Sequence, residues 1–151
     1  MRTDYEILIE YALKLLSGKR YTENEILKKL RAKKIGAGDD ILNVIARLKE
    51  YKYINDNDYA KDFINNRAKF APRGKRLIAL ELRKKGICKE IIKHELSSGG
   101  LNELELALEV LKRKKSTLKK LTGQKKKEKI FLILASKGFD FDTIYKAVAQ
   151  C

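Results

Sequence analysis

The stretch that decides the fold is residues 51–87, YKYINDNDYAKDFINNRAKFAPRGKRLIALELRKKGI. Its acidic turn at 55–58 opens an amphipathic helix with apolar residues at helical spacing, and Pro72 breaks the chain after that helix. A basic turn at 73–76 then opens a second amphipathic helix. This helix is predicted to end at Gly86, because a helix C-terminus favours a residue that accepts a positive φ. The residues predicted to form the core of the stretch are Tyr59, Ala60, Leu77, Leu82 and Ile87.

Three further features of this stretch carry predictions. Asp56 is expected to cap the helix that follows it, since a carboxylate accepts hydrogen bonds from free backbone N–H groups. The second helix is expected to place Leu77, Leu80 and Leu82 on its apolar face. The turn from Pro72 to Arg76 is the favoured contact for an anion, because its basic side chains lie near the positive end of a helix.

The same pattern recurs along the chain at a fixed interval. An equivalent leucine occurs every 52 residues, at Leu30, Leu82 and Leu134. Gly86 and Gly138 each follow their leucine by four residues, and Lys34 takes that place in the first copy. A further helical pattern comes after each copy. A period near 50 residues is typical of repeat arrays, in which one unit cannot bury its apolar face alone.

The first copy has clear helix boundaries. Apolar residues between 5 and 16 form one helical stripe, which ends at a Ser-Gly pair. Thr22 and Glu25 then have the spacing of a capping box at the start of the second helix. After a glycine-containing break, Asp39 or Asp40 is expected to cap the third helix.

The joint between the second and third copies is the Ser-Ser-Gly-Gly run at 97–100. Beyond it, Asn102 and Glu105 repeat the capping-box spacing. These signals divide the chain into three predicted units, residues 1–54, 55–99 and 100–151. We therefore predict an all-α fold of three tandem three-helix repeats in an elongated, curved array.

The decisive stretch resembles the signature of the RecX family, the bacterial regulators of the recombinase RecA. The matching elements are Asp56, Tyr59-Ala60, Arg67, Pro72-Arg73-Gly74, Arg76-Leu77 and Glu81 to Ile87. The resemblance covers most of the chain and implies the three-repeat plan. It also implies a protein that binds RecA and its nucleoprotein filament, inhibits ATP hydrolysis and strand exchange, and so tempers recombinational DNA repair and the SOS response.

The overall charge indicates the class of partner. The 151 residues include 35 Lys or Arg and 20 Asp or Glu, a net charge of +15. Such an excess implies an anionic partner, usually nucleic acid, although a lysine-biased genome or a need for solubility would also produce it. Without a signal peptide or a long apolar run, the chain is expected to be cytoplasmic. It is expected to be a monomer, because nothing in the sequence requires an oligomer. Cys88 and Cys151 lie too far apart in sequence to indicate a disulfide framework.

The sequence lacks the patterns of common catalytic sites. His94 is the only histidine, and its charged neighbours favour a surface position. There is no glycine-rich phosphate loop and no nucleophile elbow. The acidic turn also lacks the glycine and glutamate that a calcium loop requires. We therefore expect no enzymatic activity, no metal and no cofactor.

Positive charge is concentrated in two blocks. Residues 67–89 contain nine basic residues and residues 112–129 contain ten, with one acidic residue in each block. Both blocks surround the start of the middle helix of their repeat, so repeats stacked in an arc would line one face with them. The residues expected to contact RecA or DNA are Arg67, Arg73, Lys75, Arg76, Lys84, Lys85, Lys114, Lys115, Lys125 and Lys126. For any one of them, a solvated helix face is the alternative.

Two other functions fit the same features. The first is a sequence-nonspecific basic DNA-binding protein of helical repeats, although no helix gathers base-reading residues on one polar face. The second is a helical adaptor for some other acidic protein. The partners expected from the resemblance are RecA and the RecA–single-stranded DNA filament, with direct DNA binding in addition. Partner binding in the absence of DNA would separate these functions.

Overall fold

The computed structural model describes all residues, 1–151, and they form ten helices and no strand. The helices are α1 (Asp4–Gly18), α2 (Glu23–Ala32), α3 (Gly38–Glu50), α4 (Asp56–Phe70), α5 (Lys75–Lys84), α6 (Lys89–Ser98), α7 (Glu103–Arg113), α8 (Lys115–Leu118), α9 (Gly123–Ser136) and α10 (Phe141–Ala149). The prediction of an all-α fold is confirmed. None of the helices combines the length and the apolar character that crossing a bilayer requires.

The helices group into three units, each with its own core. Helices α1–α3 surround nine buried residues, α4–α6 surround six, and α7–α10 surround ten. The equivalent residues Leu30, Leu82 and Leu134 are all fully buried, one in each core. The accessible surface is 10020 Å², whereas a compact protein of 17.4 kDa exposes about 7,900 Å². This excess is what an elongated row of small units produces.

Two helix starts have the predicted N-cap residues, although only the first forms a complete capping box. Thr22 completes a capping box, because its Oγ1 accepts a hydrogen bond from the Glu25 N–H at 3.2 Å and its own N–H donates to Glu25 Oε1 at 3.0 Å. Asn102 caps α7 by accepting from the Glu105 N–H at 3.1 Å. Short polar side chains at these places satisfy N–H groups that the helix itself leaves unpaired.

Two other caps differ from the prediction. The N-cap of α3 is Ala37 rather than either aspartate, and Asp40 instead accepts from the Ala37 N–H at 3.0 Å. Asn55 caps α4, so the prediction for Asp56 is wrong. The Asp56 carboxylate points away from its own helix and accepts from the Glu23 N–H at 2.9 Å, at the start of α2. It therefore joins the first unit to the second.

The apolar face of α5 is also rotated relative to the prediction. Ile78 and Leu82, four residues apart, are fully buried, whereas Leu80 is 49% exposed. Leu77 is half-buried and lies against Gly138 of the third unit instead of its own core. Tyr59 is also half-buried and packs beside the second core, whereas the predicted core residues Ala60, Leu82 and Ile87 are buried. The difference arises because Leu77 serves the joint between units.

The two joints between units connect equivalent positions by a hydrogen bond to a backbone carbonyl. The Thr22 hydroxyl donates to the Lys85 carbonyl at 2.7 Å, and the Gly74 N–H donates to the Lys137 carbonyl at 2.8 Å. Both members of the second pair lie 52 residues after those of the first. The start of the middle helix in one unit therefore docks onto the end of the middle helix in the next.

Candidate partner-binding site

Two of the predicted contact residues are held inside the second unit. Glu81 Oε2 accepts from Arg67 Nε at 3.2 Å, and Glu81 Oε1 accepts from Arg73 Nη1 at 2.9 Å. The side chains of Arg73 and Glu81 are only 19% and 22% exposed. Because one carboxylate bridges both guanidinium groups, this part of the family signature ties α4 to α5, and its positive charge is partly neutralised within the chain.

The start of α5, the favoured anion contact in the sequence, is occupied by the third unit. The Lys75 N–H donates to Glu103 Oε2 at 3.4 Å, and the neighbouring Gly74 N–H is taken by the Lys137 carbonyl. Pro72 and Gly74 are buried in this contact. The anion that the helix end attracts is therefore a carboxylate of the same chain, and these backbone N–H groups are not open to a partner.

The two basic blocks meet at a cleft between the second and third units. The cleft has a volume of about 220 Å³ and includes Arg73 from the first block and Lys114 from the second, together with Arg113 and Lys137. The Arg113 guanidinium donates to the Phe70 carbonyl at 2.8 Å, at the end of α4. Arg113 therefore fastens the two units, and Lys114 remains an exposed cation beside this joint.

A second basic site lies wholly in the third unit. We call it the lysine groove, a depression of about 360 Å³ lined by Lys112, Lys115, Lys119 and Lys126 around Leu108, Leu111, Leu118 and Cys151. No acidic residue lines the groove, and none of its four lysines takes part in an ion pair. Buried Leu118 holds short helix α8 against the third core and thereby sets the position of the backbone that carries Lys115 and Lys119.

The lysine groove contains the predicted contacts Lys115 and Lys126. It also contains Lys112 and Lys119, which the sequence identifies only as members of the surrounding basic block. The signal for Lys112 and Lys119 is their spacing of three residues before and four residues after Lys115, which is that of one helix face, although the structure divides this segment into α7 and α8 at Lys114. Lys126 comes from α9, and only the folded chain brings it beside the others.

The remaining predicted contacts are dispersed. Lys85 pairs with Glu25 of the first unit at 3.6 Å, and Arg76 lines a small cleft beside Phe141 of the third unit. Lys84 and Lys125 are exposed and form no ion pair. The ten residues therefore do not form one site, and the lysine groove stands out because none of its four lysines is ion-paired.

Groups with perturbed pKa values lie at helix starts and joints, outside the lysine groove. Burial raises the pKa of the Asp56 carboxyl, although the hydrogen bond from Glu23 opposes the shift. Burial likewise raises the pKa of the Tyr59 hydroxyl. The Thr143 N–H lowers the pKa of Asp140, which caps α10. His94 is exposed and contacts Glu95 at 3.2 Å. Asp56 and Asp140 thus have hydrogen-bond partners within the chain, and the pKa of Tyr59 is shifted by burial.

Known protein families match two of the three units. Residues 55–96 match the second three-helix domain of RecX, and residues 102–148 match its third three-helix domain. The chain is 31% identical over 140 residues to the regulatory protein RecX of Chlorobaculum tepidum, covering 93% of this chain and 85% of that protein. It is 34% identical over 144 residues to the corresponding protein of Clostridium botulinum strain Eklund 17B, covering 93% of this chain and 66% of that protein.

Solved structures share the arrangement of helices. The crystal structure of RecX from Lactobacillus salivarius aligns with a TM-score of 0.88 at 27% identity, covering 97% of this chain and 96% of that one. Some relatives are much longer, since the chain spans 53% of the regulatory protein RecX of Bacillus subtilis, with 34% identity over 140 residues.

Proposed function

Because this chain belongs to the RecX family, we propose that it regulates a RecA recombinase by binding RecA and its filament on single-stranded DNA. In this role it acts mainly as an inhibitor of ATP hydrolysis and strand exchange, and so restrains recombinational repair and the SOS response. The observation that carries the proposal is the match of residues 55–96 and 102–148 to RecX domains. It is supported by the lysine groove, which suits an anionic surface.

The arrangement of units supports a filament as the partner. A row of three units can touch more than one protomer of a helical assembly, and each added contact then acts at a high effective concentration. Unpaired lysines are attracted most strongly to a nearby phosphate backbone, because their charge is not already neutralised by an acidic residue of the chain. The contacts we propose are Lys84, Lys112, Lys114, Lys115, Lys119, Lys125 and Lys126, while Arg67 and Arg73 act by holding α4 on α5.

Binding to immobilised RecA, with and without single-stranded DNA and at two salt concentrations, tests this proposal. We expect binding to RecA alone and tighter binding to the filament. The variant K112E/K115E/K119E should lose filament affinity by at least about tenfold, because three attractive contacts become repulsive. The control K14E/K28E/K61E makes the same change in charge at exposed lysines elsewhere and should lose much less.

The second candidate function is nonspecific DNA binding, which the net charge of +15 favours. In that case binding would require DNA, would be equal for filament and bare strand, and would fall steeply with salt. Binding of RecA without DNA would exclude this as the whole function. Failure to bind RecA in either form would leave the DNA-binding function in its place.

A further inference from the structure

The cleft between the second and third units, which we call the joint cleft, collects positive charge from both of them. All of its charged lining residues are cations, namely Arg73, Arg113, Lys114 and Lys137. Lys114 and Lys137 take part in no ion pair. An anion in the joint cleft would therefore meet two free ammonium groups and two guanidinium groups.

The carboxylates near the joint cleft do not balance this charge. Glu81 is shared between Arg67 and Arg73, and Glu109 pairs with the other arginine of the cleft at 3.3 Å. Glu103, the remaining carboxylate of this joint, lies at the opposite end of α7, about 15 Å away along the helix. The four lining cations and Arg67 thus carry five positive charges against two negative ones.

Both guanidinium groups are held in place while some of their donors stay free. Arg73 Nε donates to the Ala71 carbonyl at 3.0 Å and its Nη1 donates to Glu81 at 2.9 Å, which leaves Nη2 without a partner. Arg113 Nη1 and Nη2 donate to two carbonyls at the end of α4, at 2.8 and 3.2 Å, and each keeps a second hydrogen. Fixed N–H donors of this kind suit the oxygens of a phosphate group, which a planar guanidinium can bind through parallel hydrogen bonds.

The first joint shows how the repeat neutralises the equivalent lysine. Lys85 lies 52 residues before Lys137, and its ammonium pairs with Glu25 of the first unit at 3.6 Å. The residue 52 positions after Glu25 is Leu77, so the second joint has the lysine without its carboxylate. It also has a cation, Arg73, where the first joint has a tyrosine. The chain therefore supplies its own anion at the first joint and lacks an equivalent one at the second.

We propose that the joint cleft binds a phosphate group, from a nucleic-acid backbone or from a free phosphate compound, in the place that Glu25 takes at the first joint. Phosphate fits better than a carboxylate, because the cations come from two units and a phosphate has acceptor oxygens on several sides. By contacting Arg73 of the second unit together with Lys114 and Lys137 of the third, it holds the two units in one alignment. The inference goes beyond the proposed function and does not require RecA.

The test is a titration of the ¹⁵N-labelled full chain with pyrophosphate at constant ionic strength, followed by NMR. We expect saturable shifts at the Nε of Arg73 and at the amide of Gly74, which donates to the Lys137 carbonyl at this joint. The variant K114A/K137A should weaken binding at least about tenfold, because two charged contacts are lost. The control K14A/K28A removes the same charge at exposed lysines of the first unit and should leave the affinity nearly unchanged.

Oligothymidine distinguishes the two sources of phosphate. We expect it to shift the same signals of Arg73 and Gly74 and to compete with pyrophosphate, which would identify a nucleic-acid backbone as the ligand. Pyrophosphate that stays bound in excess oligothymidine would identify a free phosphate compound instead. Either result supports a phosphate site in the joint cleft.

Three results would overturn the proposal. One is pyrophosphate binding that is unchanged in K114A/K137A, and another is a set of shifts spread over exposed lysines throughout the chain. The third is a glutamate-rich peptide that shifts the signals of the joint while pyrophosphate does not, which would make the cleft a site for an acidic protein segment. Lys114→Ala alone, at an exposed position, provides the same test if the double variant is poorly folded.

Discussion

At the scale of single residues, the first joint rests on polar side chains that bond to two units at once. Thr22 is fully buried, and its hydroxyl accepts from the Glu25 N–H while donating to the Lys85 carbonyl at 2.7 Å. Asp56 crosses the same joint in the opposite direction, accepting from Glu23 at 2.9 Å. Buried polar groups destabilise a fold when one partner is lost, so these residues define how the units align.

Replacing Thr22 with valine tests this double role. Thr22→Val keeps the shape of the side chain but removes the helix cap, which should lower the free energy of unfolding by about 1 kcal/mol. It also leaves the Lys85 carbonyl without its partner, which should lower it by about 1–3 kcal/mol more. Thr3→Val is the matched control, because Thr3 caps α1 at an exposed site with no second partner. Urea unfolding should show the larger loss for Thr22→Val. Equal losses would mean that the joint bond contributes nothing.

Two aspartates should respond to pH in opposite directions. The folded-state pKa of Asp56 is raised, so its contribution to stability is present below about pH 3.8 and is lost as pH rises through the folded value. The pKa of Asp140 is lowered, so its contribution is present above that pH and is lost as pH falls. As pH rises from about 3 to 7, the free energy of unfolding of Asp56→Asn should increase relative to that of the native chain, and that of Asp140→Asn should decrease. Parallel trends in urea unfolding would contradict this assignment.

At the scale of elements, a turn with positive φ ends each middle helix. The φ angles are 55° at Lys34, 87° at Gly86 and 85° at Gly138, and these residues are 52 apart. A Cβ at Gly86 would overlap Asn24 of the first unit, and one at Gly138 would overlap Leu77 of the second. Lys34, which ends the middle helix of the first unit, adopts the same positive φ with a side chain in place of the glycine.

Substitutions at these turns should separate backbone strain from the joint. Gly100 also has positive φ, but nothing lies within 4 Å of a Cβ placed there. Gly100→Ala should therefore lower the free energy of unfolding by only about 1 kcal/mol, whereas Gly138→Ala should lower it clearly more, because Leu77 must move. Lys34→Gly should stabilise the chain by up to about 1 kcal/mol. Equal effects at Gly100 and Gly138 in thermal unfolding would argue against close packing at the joint.

The sequence predicts the elements better than their contacts. Helical spacing and the capping pattern at Thr22 identify α2 because both are local signals. The phase of α5 and the role of Asp56 are missed, since Leu77 and Asp56 each serve a neighbouring unit, and no local pattern shows that. The lysine groove is foreseen only in part for the same reason, because Lys126 reaches it from a separate helix.

At the scale of the whole molecule, three small cores are joined by a few specific contacts. The stability of such an array is approximately the sum of the stabilities of its units and of the contacts between neighbouring units. A destabilising substitution in one unit should therefore act mainly on that unit. Leu30→Ala and Leu134→Ala each truncate an equivalent, fully buried side chain, and each should lower the free energy of unfolding by about 2–5 kcal/mol. Hydrogen exchange should increase mainly in α1–α3 for the first variant and in α7–α10 for the second. A uniform increase across all ten helices would instead indicate one cooperative core.

The measurement that tests the proposed function most directly is the ATPase activity of the cognate RecA on single-stranded DNA, with this protein titrated in. Excess free strand is included to absorb simple competition for DNA. We expect inhibition that persists in excess strand and is strongly reduced in K112E/K115E/K119E. Absence of inhibition, or inhibition that disappears when strand is added, would contradict regulation of the filament.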